Sequence, residues 1–398
     1  MKMRHEFRPD RRYTGSDTTR GQDVFRKTLA AFAFLTIFAG YSVAQDFRVG
    51  TIEFLEGEAS LTRAGTVDDS PEIGDSIENF DLIRTGQSGI VVVSLSERTG
   101  MNGTLTVKPR SVFAVKAEKL GGAPSTEVES LGGSVGVKVK KLSGDSSLRV
   151  RTGNAVMGVR GTIFEVIVSV NDSLLVGCSE GRVSCVSEGG DELFAEPGQA
   201  VEARAGEGLR RVPVAVSSLD QFRDAWIADE VEAFRAAPLR ALGQYARTYE
   251  RYRGDFLTAF EALAKEPALS QWSAEHRRGV VPRANDIEVM KQKSAVAPKI
   301  MAVRGVLFIF ERIYYRLDEV RSLVGDKNLQ ATLPTGRTVF EFYKELTAQR
   351  PELERKAAAY RLALRLYAER NEGREPVPGG FGESGDDDFF EDTSSFFD

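Results

Sequence analysis

The chain has 398 residues, of which 41% are hydrophobic and 28% charged, with a net charge of −5; this is enough apolar material for two cores of ordinary size and argues against one fold over the whole length. Two histidines, His5 and His276, and two cysteines, Cys178 and Cys185, leave little from which to build Ser-His-Asp, Cys-His or zinc sites. No catalytic residue, metal ligand or cofactor is therefore assigned, and neither a glycine-rich phosphate loop nor a nucleophile elbow occurs.

The N-terminus reads as an export signal. Seven basic residues from Arg4 to Lys27 precede the apolar run "LAAFAFLTIFAGYSVA", which is short for a membrane span of about 20 residues and ends in the small residues Ser42, Val43 and Ala44. Cleavage after Ala44 is expected, giving a periplasmic or secreted protein; an uncleaved anchor is the alternative, and only then would the protein belong to a membrane. Residues 1–44 carry eight basic and four acidic side chains, so their removal takes the net charge from −5 to −9. Eight acidic residues and no basic one lie from Glu375 onward, which leaves the body nearly neutral. That balance argues against a nucleic-acid partner, which normally needs a clustered basic surface.

Residues 45–214 are predicted to form an all-β domain, a sandwich or a solenoid-like coil of strands. The candidate strands "VGTIEFL" (49–55), "GIVVVSL" (89–95), "SVFAVKA" (111–117), "SVGVKVK" (134–140), "TIFEVIV" (162–168), "SLLVGC" (173–178) and "RVSCVS" (182–187), several of which alternate apolar and polar residues, are punctuated by turn-forming Gly, Asp, Asn and Ser. No helical pattern intervenes to make parallel crossover units. In "GNAVMGVRGTIFEVIV" (153–168), Gly158 and Gly161 permit positive φ or close backbone approach, so "MGVRGT" is expected to be a tight corner feeding a strand. Arg160, with no second cation beside it in the motif, is expected to clamp this corner through its guanidinium donors rather than hold an anionic ligand. Glu180-Gly181 is predicted to be a two-residue hairpin turn, with Cys178 opposite Val183 and Cys185 opposite Val176. That register sets the two thiols diagonally, about 7 Å or more apart, beyond disulfide range, and both are expected to be free and buried.

These residues resemble the FecR protein domain, whose central stretch reads approximately V-x-T-P-x-A-x-x-G-V-R-G-T-x-F-x-V. Val150, Thr152, Ala155, Gly158, Val159, Arg160, Gly161, Thr162, Phe164 and Val166 stand in matching places. Gly74-Asp75, the run Ile83 to Gly86 followed by Ser88, Glu180-Gly181 with Val183, and Pro197-Gly198-Gln199 agree in order, so the likeness spans roughly residues 48–203. Gly153 stands where the family usually has proline, and "SERTGMNG" (96–103) lacks the expected Asp-Gly turn. The resemblance implies an extracytoplasmic all-β module used for signalling or protein contact, with no known chemistry. In its best-known members the module hangs below a membrane helix and a cytoplasmic domain that controls a sigma factor. The residues ahead of the apolar run here are too few for such a domain, so that mechanism is not carried over.

Residues 215–372 change period and are predicted to be a helical bundle. Ser218 with Gln221 suggests a capping box. Tyr245, Tyr249, Tyr252, Phe256 and Phe260 fall on one helical face, and Val303, Leu307, Phe310, Tyr314, Leu317, Val320 and Val324 on another. These stripes read as seams of the bundle rather than as a ligand groove. Six prolines, Pro238, Pro267, Pro282, Pro298, Pro334 and Pro351, are expected to separate five or six helices, and the basic stretch at 276–293 reads as a solvated connection with one short helix.

Residues 373–398 carry glycine, proline and acid in proportions that cannot support a packed core and are expected to be disordered. The pairs Phe389-Phe390 and Phe396-Phe397 recur seven residues apart among Asp, Glu and Ser, which makes them candidate anchors for a protein partner with an apolar groove rimmed by Lys or Arg. The expectation is thus a non-enzymatic binding, scaffold or signalling component of the cell envelope. A membrane-anchored transducer related to sigma-factor regulators is the first alternative and an envelope-polymer hydrolase or lyase the second.

Overall fold

A computed structural model describes residues 48–376, apart from 65, 97–98, 121–122, 140–145, 160 and 281–283. The export segment, Arg160, Phe389, Phe390, Phe396 and Phe397 lie outside the described residues. An N-terminal β region is followed by a helical region, and the described residues form one compact unit.

Seventeen described strands pair into two sheets that share one long strand. The first sheet runs β4 (Ser76–Glu78), β1 (Arg48–Glu56), β6 (Ile90–Leu95), β7 (Gly103–Val107), the second half of β9 (Ala123–Val139), β12 (Ile163–Val168), β13 (Leu174–Glu180), β16 (Gly198–Ala203) and β17 (Arg210–Val214). The second runs β3 (Thr66–Asp68), β2 (Ala59–Arg63), β5 (Leu82–Thr85), β8 (Val112–Leu120), the first half of β9, β10 (Ser147–Arg151), β11 (Ala155–Val159), β14 (Val183–Ser187) and β15 (Glu192–Ala195). Strand β9 changes sheets at Gly133, whose φ is +82° and whose missing Cβ would meet the Arg110 carbonyl at 2.6 Å. The inward residues of both sheets, among them Val93, Leu105, Val137, Val166 and Val176 from the first and Phe113, Val128, Val150, Met157 and Val183 from the second, form one continuous core.

Strands β13 and β14 do not form the hairpin expected from Glu180-Gly181. Strand β13 pairs with β12 and β16, β14 pairs with β11 and β15, and residues 181–182 carry the chain from one sheet to the other. Gly181 (φ +83°) makes this crossing by approaching Gly161, whose carbonyl a Cβ would meet at 2.7 Å. The sequence signal for a hairpin and for such a corner is the same, because both need one residue with positive φ. Cys178 and Cys185 consequently come from opposite sheets; both are buried and free.

The helices are α1 (Leu219–Ala236), α2 (Pro238–Ala264), α3 (Pro267–Arg277), α4 (Ile287–Val324) and α5 (Val339–Glu369). Both aromatic and aliphatic stripes meet in one core, where Phe310 of α4 stacks on Phe256 of α2 at 5.2 Å and approaches Tyr249 at 5.8 Å. The prolines behave in two ways. Pro238 and Pro267 open α2 and α3, where a missing N–H costs nothing, whereas Pro298 and Pro351 lie inside α4 and α5 instead of ending them. Burial on both sides of each proline, as at Val296 with Ile300 and Leu346 with Leu353, holds these helices together across the lost hydrogen bond. The capping box expected at Ser218 is absent; Ser218 makes no side-chain cap, and the reciprocal box is formed by Thr338 and Glu341 at the start of α5.

The helical region packs on outer faces of both sheets. Helix α1 lays Trp226 against Ile167, Leu175, Ala200 and Val214 of the first sheet, and its Nε1 donates to Glu202 at 2.6 Å. Helix α4 lays Phe308 and Tyr315 against Leu82, Val112 and Leu131 of the second. Strands β12 and β13 are therefore buried on both faces, which is why Val166, Ile167 and Val168, and Leu174, Leu175 and Val176, are apolar without alternation.

Candidate functional site

The motif at 150–166 builds a corner at the seam of the sheets. Val150, Ala155, Met157 and Val159 point inward, and between them Thr152 closes a short loop, its Oγ1 accepting from the Asn154 and Ala155 amides and donating to the Ala155 carbonyl. Gly158 is not part of the corner. It lies inside β11, opposite Arg149 and Ser184, with φ outside the positive region and the nearest neighbour of an added Cβ at 3.8 Å. The turn is tighter than expected and centres on Gly161 (φ +66°), after which Thr162 is buried and its carbonyl accepts from Val139. Phe164 enters the common core, and Glu180 and Gly181 lie against the same corner from the next crossing.

The chemistry of the molecule concentrates elsewhere, between the second sheet and helices α4 and α5. A cavity of about 60 Å³ is lined there by Lys116, Glu129, Arg304, Tyr360, Arg361 and Glu375 with apolar neighbours. Glu375, beyond the end of α5, reaches back so that its carboxylate lies 2.8 Å from Arg304 and 3.1 Å from Lys116. Arg304 also faces Glu127 at 3.9 Å, Arg151 faces Glu129 at 3.8 Å, and Arg361 donates to Glu311 at 2.7 Å. Partial burial, together with repulsion from Glu127 and Glu375, raises the Glu129 carboxyl above the usual range, although Arg304 and Arg151 oppose it. Burial acts on Glu127 in the same sense, but Lys116, Arg304 and Arg151 outweigh it and its carboxyl is lowered. The Tyr360 hydroxyl and Glu311 Oε1 are buried without a hydrogen-bond partner among the described residues.

Residues 81–184 match the family described as FecR protein. They form a FecR domain. No protein of curated function matches the chain. Among solved structures, two crystal structures of a candidate anti-sigma factor from Parabacteroides distasonis, at 2.50 and 1.65 Å, are similar at 14% and 13% identity with TM-scores of 0.30 and 0.29. Each match covers 35% of this chain and 63% of the other, so the likeness spans under two thirds of those proteins.

The FecR domain explains one departure from the family pattern. At Gly153, where proline is usual, the guanidinium of Arg312 from α4 occupies the place that a Cβ would take. Arg312 passes over the 152–155 loop to Asp172 at 3.4 Å, and the Asp172 carbonyl accepts from the Asn154 side chain. The loss of the ring makes room for the helical region to dock. Four residues further along α4, Arg316 lies beside Gly132 and donates to the Val168 carbonyl at 3.2 Å, so a row of arginines ties the helix to the FecR domain.

Sequence reasoning found the motif but missed the ionic cavity. Glu127 and Glu129 alternate along β9 and so share a face with their strand neighbour Lys116, a local signal that two acids and a base stand together. Their arginine partner lies far along the chain on α4, and Glu375 falls in the segment assigned to the tail. Residues 373–376 are in fact packed: Gly373 (φ +81°) caps α5 by donating to the Ala368 carbonyl at 2.8 Å, and Glu375 and Pro376 are buried. The ionic pocket and the helix cap supply the contacts that composition alone does not reveal. Among the described residues no group of acids, histidines or cysteines is arranged to hold a metal, and no helix is long and apolar enough to cross a membrane.

Proposed function

We propose that the protein is a non-enzymatic signalling or scaffold component of the cell envelope, exported behind residues 1–44 and working by binding another protein. The observation that supports this most is the FecR domain itself, held by helices on two outer faces in one compact unit with the chemistry of the interior spent on ion pairs between the layers. The partner-binding element is the acidic C-terminal segment, whose Phe389, Phe390, Phe396 and Phe397 are the apolar anchors and whose charge steers approach to a basic rim.

The test compares envelope-extract pull-downs by the full mature protein, by a form ending at Gly380, and by one with all four phenylalanines changed to serine. Loss of one shared partner in both altered forms is the expected result, with binding of that partner to the full protein weakening as salt rises. Identical partners in all three samples would show the tail to be irrelevant. Mass spectrometry of the N-terminus decides between a free protein, with Gln45 first, and a membrane-anchored transducer that keeps residues 29–44.

A further inference from the structure

The ionic cavity between the second sheet and helices α4 and α5 has the construction of a ligand site with an occupant supplied by the chain itself. Two cations from different layers, Lys116 on β8 and Arg304 on α4, converge on one carboxylate oxygen of Glu375. The space around that carboxylate remains partly empty, about 60 Å³, enough for several waters or a small organic acid. Tyr360, which lines it and is 4% exposed, presents a hydroxyl with no hydrogen-bond partner among the described residues. A buried phenol without a partner gives up its hydrogen bond to water for nothing, so the cavity contains a donor that its present occupant does not use.

Glu375 follows a turn tied to the helix end, where the Arg374 N–H donates to the Asn371 carbonyl at 2.9 Å and the Arg374 carbonyl accepts from the Asn371 side chain at 3.0 Å. It lies beyond the end of α5 after two left-handed residues, Glu372 (φ +55°) and Gly373 (φ +81°), the first of which carries a side chain that disfavours that conformation. Arg374 beside it faces solvent and pairs only loosely with Glu372, at 3.7 Å between two exposed side chains. The carboxylate in the pocket ties this segment to the FecR domain through Lys116 and to α4 through Arg304. Removing it deprives Arg304 and Lys116 of one carboxylate and leaves Glu127 3.9 Å from Arg304.

We propose that this cavity is a carboxylate-binding site, filled in cis by Glu375 and opened to an acidic side chain of a second polypeptide when the C-terminal segment is drawn away. The site reads a carboxylate through two cations and a phenol donor, and the walls of Phe308, Leu307 and Leu364 suit a short aliphatic stem. It couples the C-terminal segment to the docking of the helical region, because the occupant bridges a strand and a helix.

Glu375→Ala in the full chain vacates the site, and acetate is the probe. Melting temperature should fall by about 3–6 °C. Acetate at tens of millimolar should restore about half of that loss beyond what sodium chloride of equal ionic strength does. The double variant Arg304→Gln, Glu375→Ala should show no recovery. A peptide covering residues 371–380 should bind the Glu375→Ala chain at least about tenfold more tightly than the same peptide carrying Glu375→Gln. Equal responses to acetate in the wild-type, single and double variants, or equal binding of the two peptides, would overturn the proposal. If Glu375→Ala does not fold, Glu375→Gln decides: its amide fills the space without the charge, so it should be less stable than wild type and indifferent to acetate, and wild-type stability would refute a carboxylate-specific site.

Discussion

Replacing Gly153 with alanine tests whether the helical region dictates the departure from the family proline. Gly153 does not adopt a positive φ, so alanine suits the backbone and on its own should stabilise by about 0.5 kcal/mol through the unfolded chain. The new methyl, however, takes the place of the Arg312 guanidinium, which must swing out. Three contributions are then lost. The ion pair to Asp172 is long, at 3.4 Å, and Asp172 is 36% exposed, so after solvent screening it counts for about 0.3 kcal/mol. The guanidinium stands 5.9 Å from the Phe308 ring, which adds about 0.5 kcal/mol. The stem of Arg312, whose side chain is 13% exposed, gives up apolar contact of about 1 kcal/mol. Gly153→Ala should therefore cost about 1–1.5 kcal/mol in the natural chain and gain about 0.5 kcal/mol in an Arg312→Ala background, a coupling of about 1.5–2 kcal/mol. Urea unfolding of the four chains, read from midpoints at unchanged slope, measures it. A coupling near zero would mean that Arg312 is not the reason for the glycine.

Glu230 on α1 accepts from Ser169 at 2.7 Å and from Asn171 at 3.0 Å and pairs with Arg204. Burial pushes its carboxyl up, but hydrogen bonds from Asn171, Ser169, Ser173 and Arg204 outweigh this and lower it. A lowered folded value contributes stability above the unfolded value of about 4.3 that is lost as pH falls through the folded value, so wild type should lose stability more steeply than Glu230→Gln below about pH 4.5; parallel curves would contradict the assignment. Burial pushes the Cys178 thiol up to about 11 and the Cys185 thiol to about 12. Native protein at pH 8 should therefore resist thiol labelling and release two reactive thiols on unfolding; rapid labelling of either cysteine in the native state would place it at the surface.

The division of the chain into a β region and a helical region was legible without coordinates, because each depends on local period. Strands such as Ile90–Leu95 alternate burial residue by residue, and the stripes on α2 and α4 repeat at three and four. The motif from Val150 to Val166 was equally legible, since its glycine and threonine serve turns made by neighbours in sequence. The identity of a turn was less so. Glu180-Gly181 satisfies the backbone needs of a hairpin and of a crossing between sheets alike, and only the strands waiting at β11 and β16 decide which one forms.

Tertiary structure decided what no local pattern encodes: the meeting of Lys116, Glu127 and Glu129 with Arg304 and Glu375, the passage of Arg312 over Gly153, and the order of residues 373–376. Lys116 stands more than 150 residues from Arg304 and from Glu375, and Gly153 as far from Arg312. A lone glutamate in an acidic, proline-containing segment reads as solvated, because its charge is costly to bury unless an opposite charge awaits it. Arg304 and Lys116 supply that charge, and they can be seen to do so only after two sheets have paired through β9 and α4 has been laid across them.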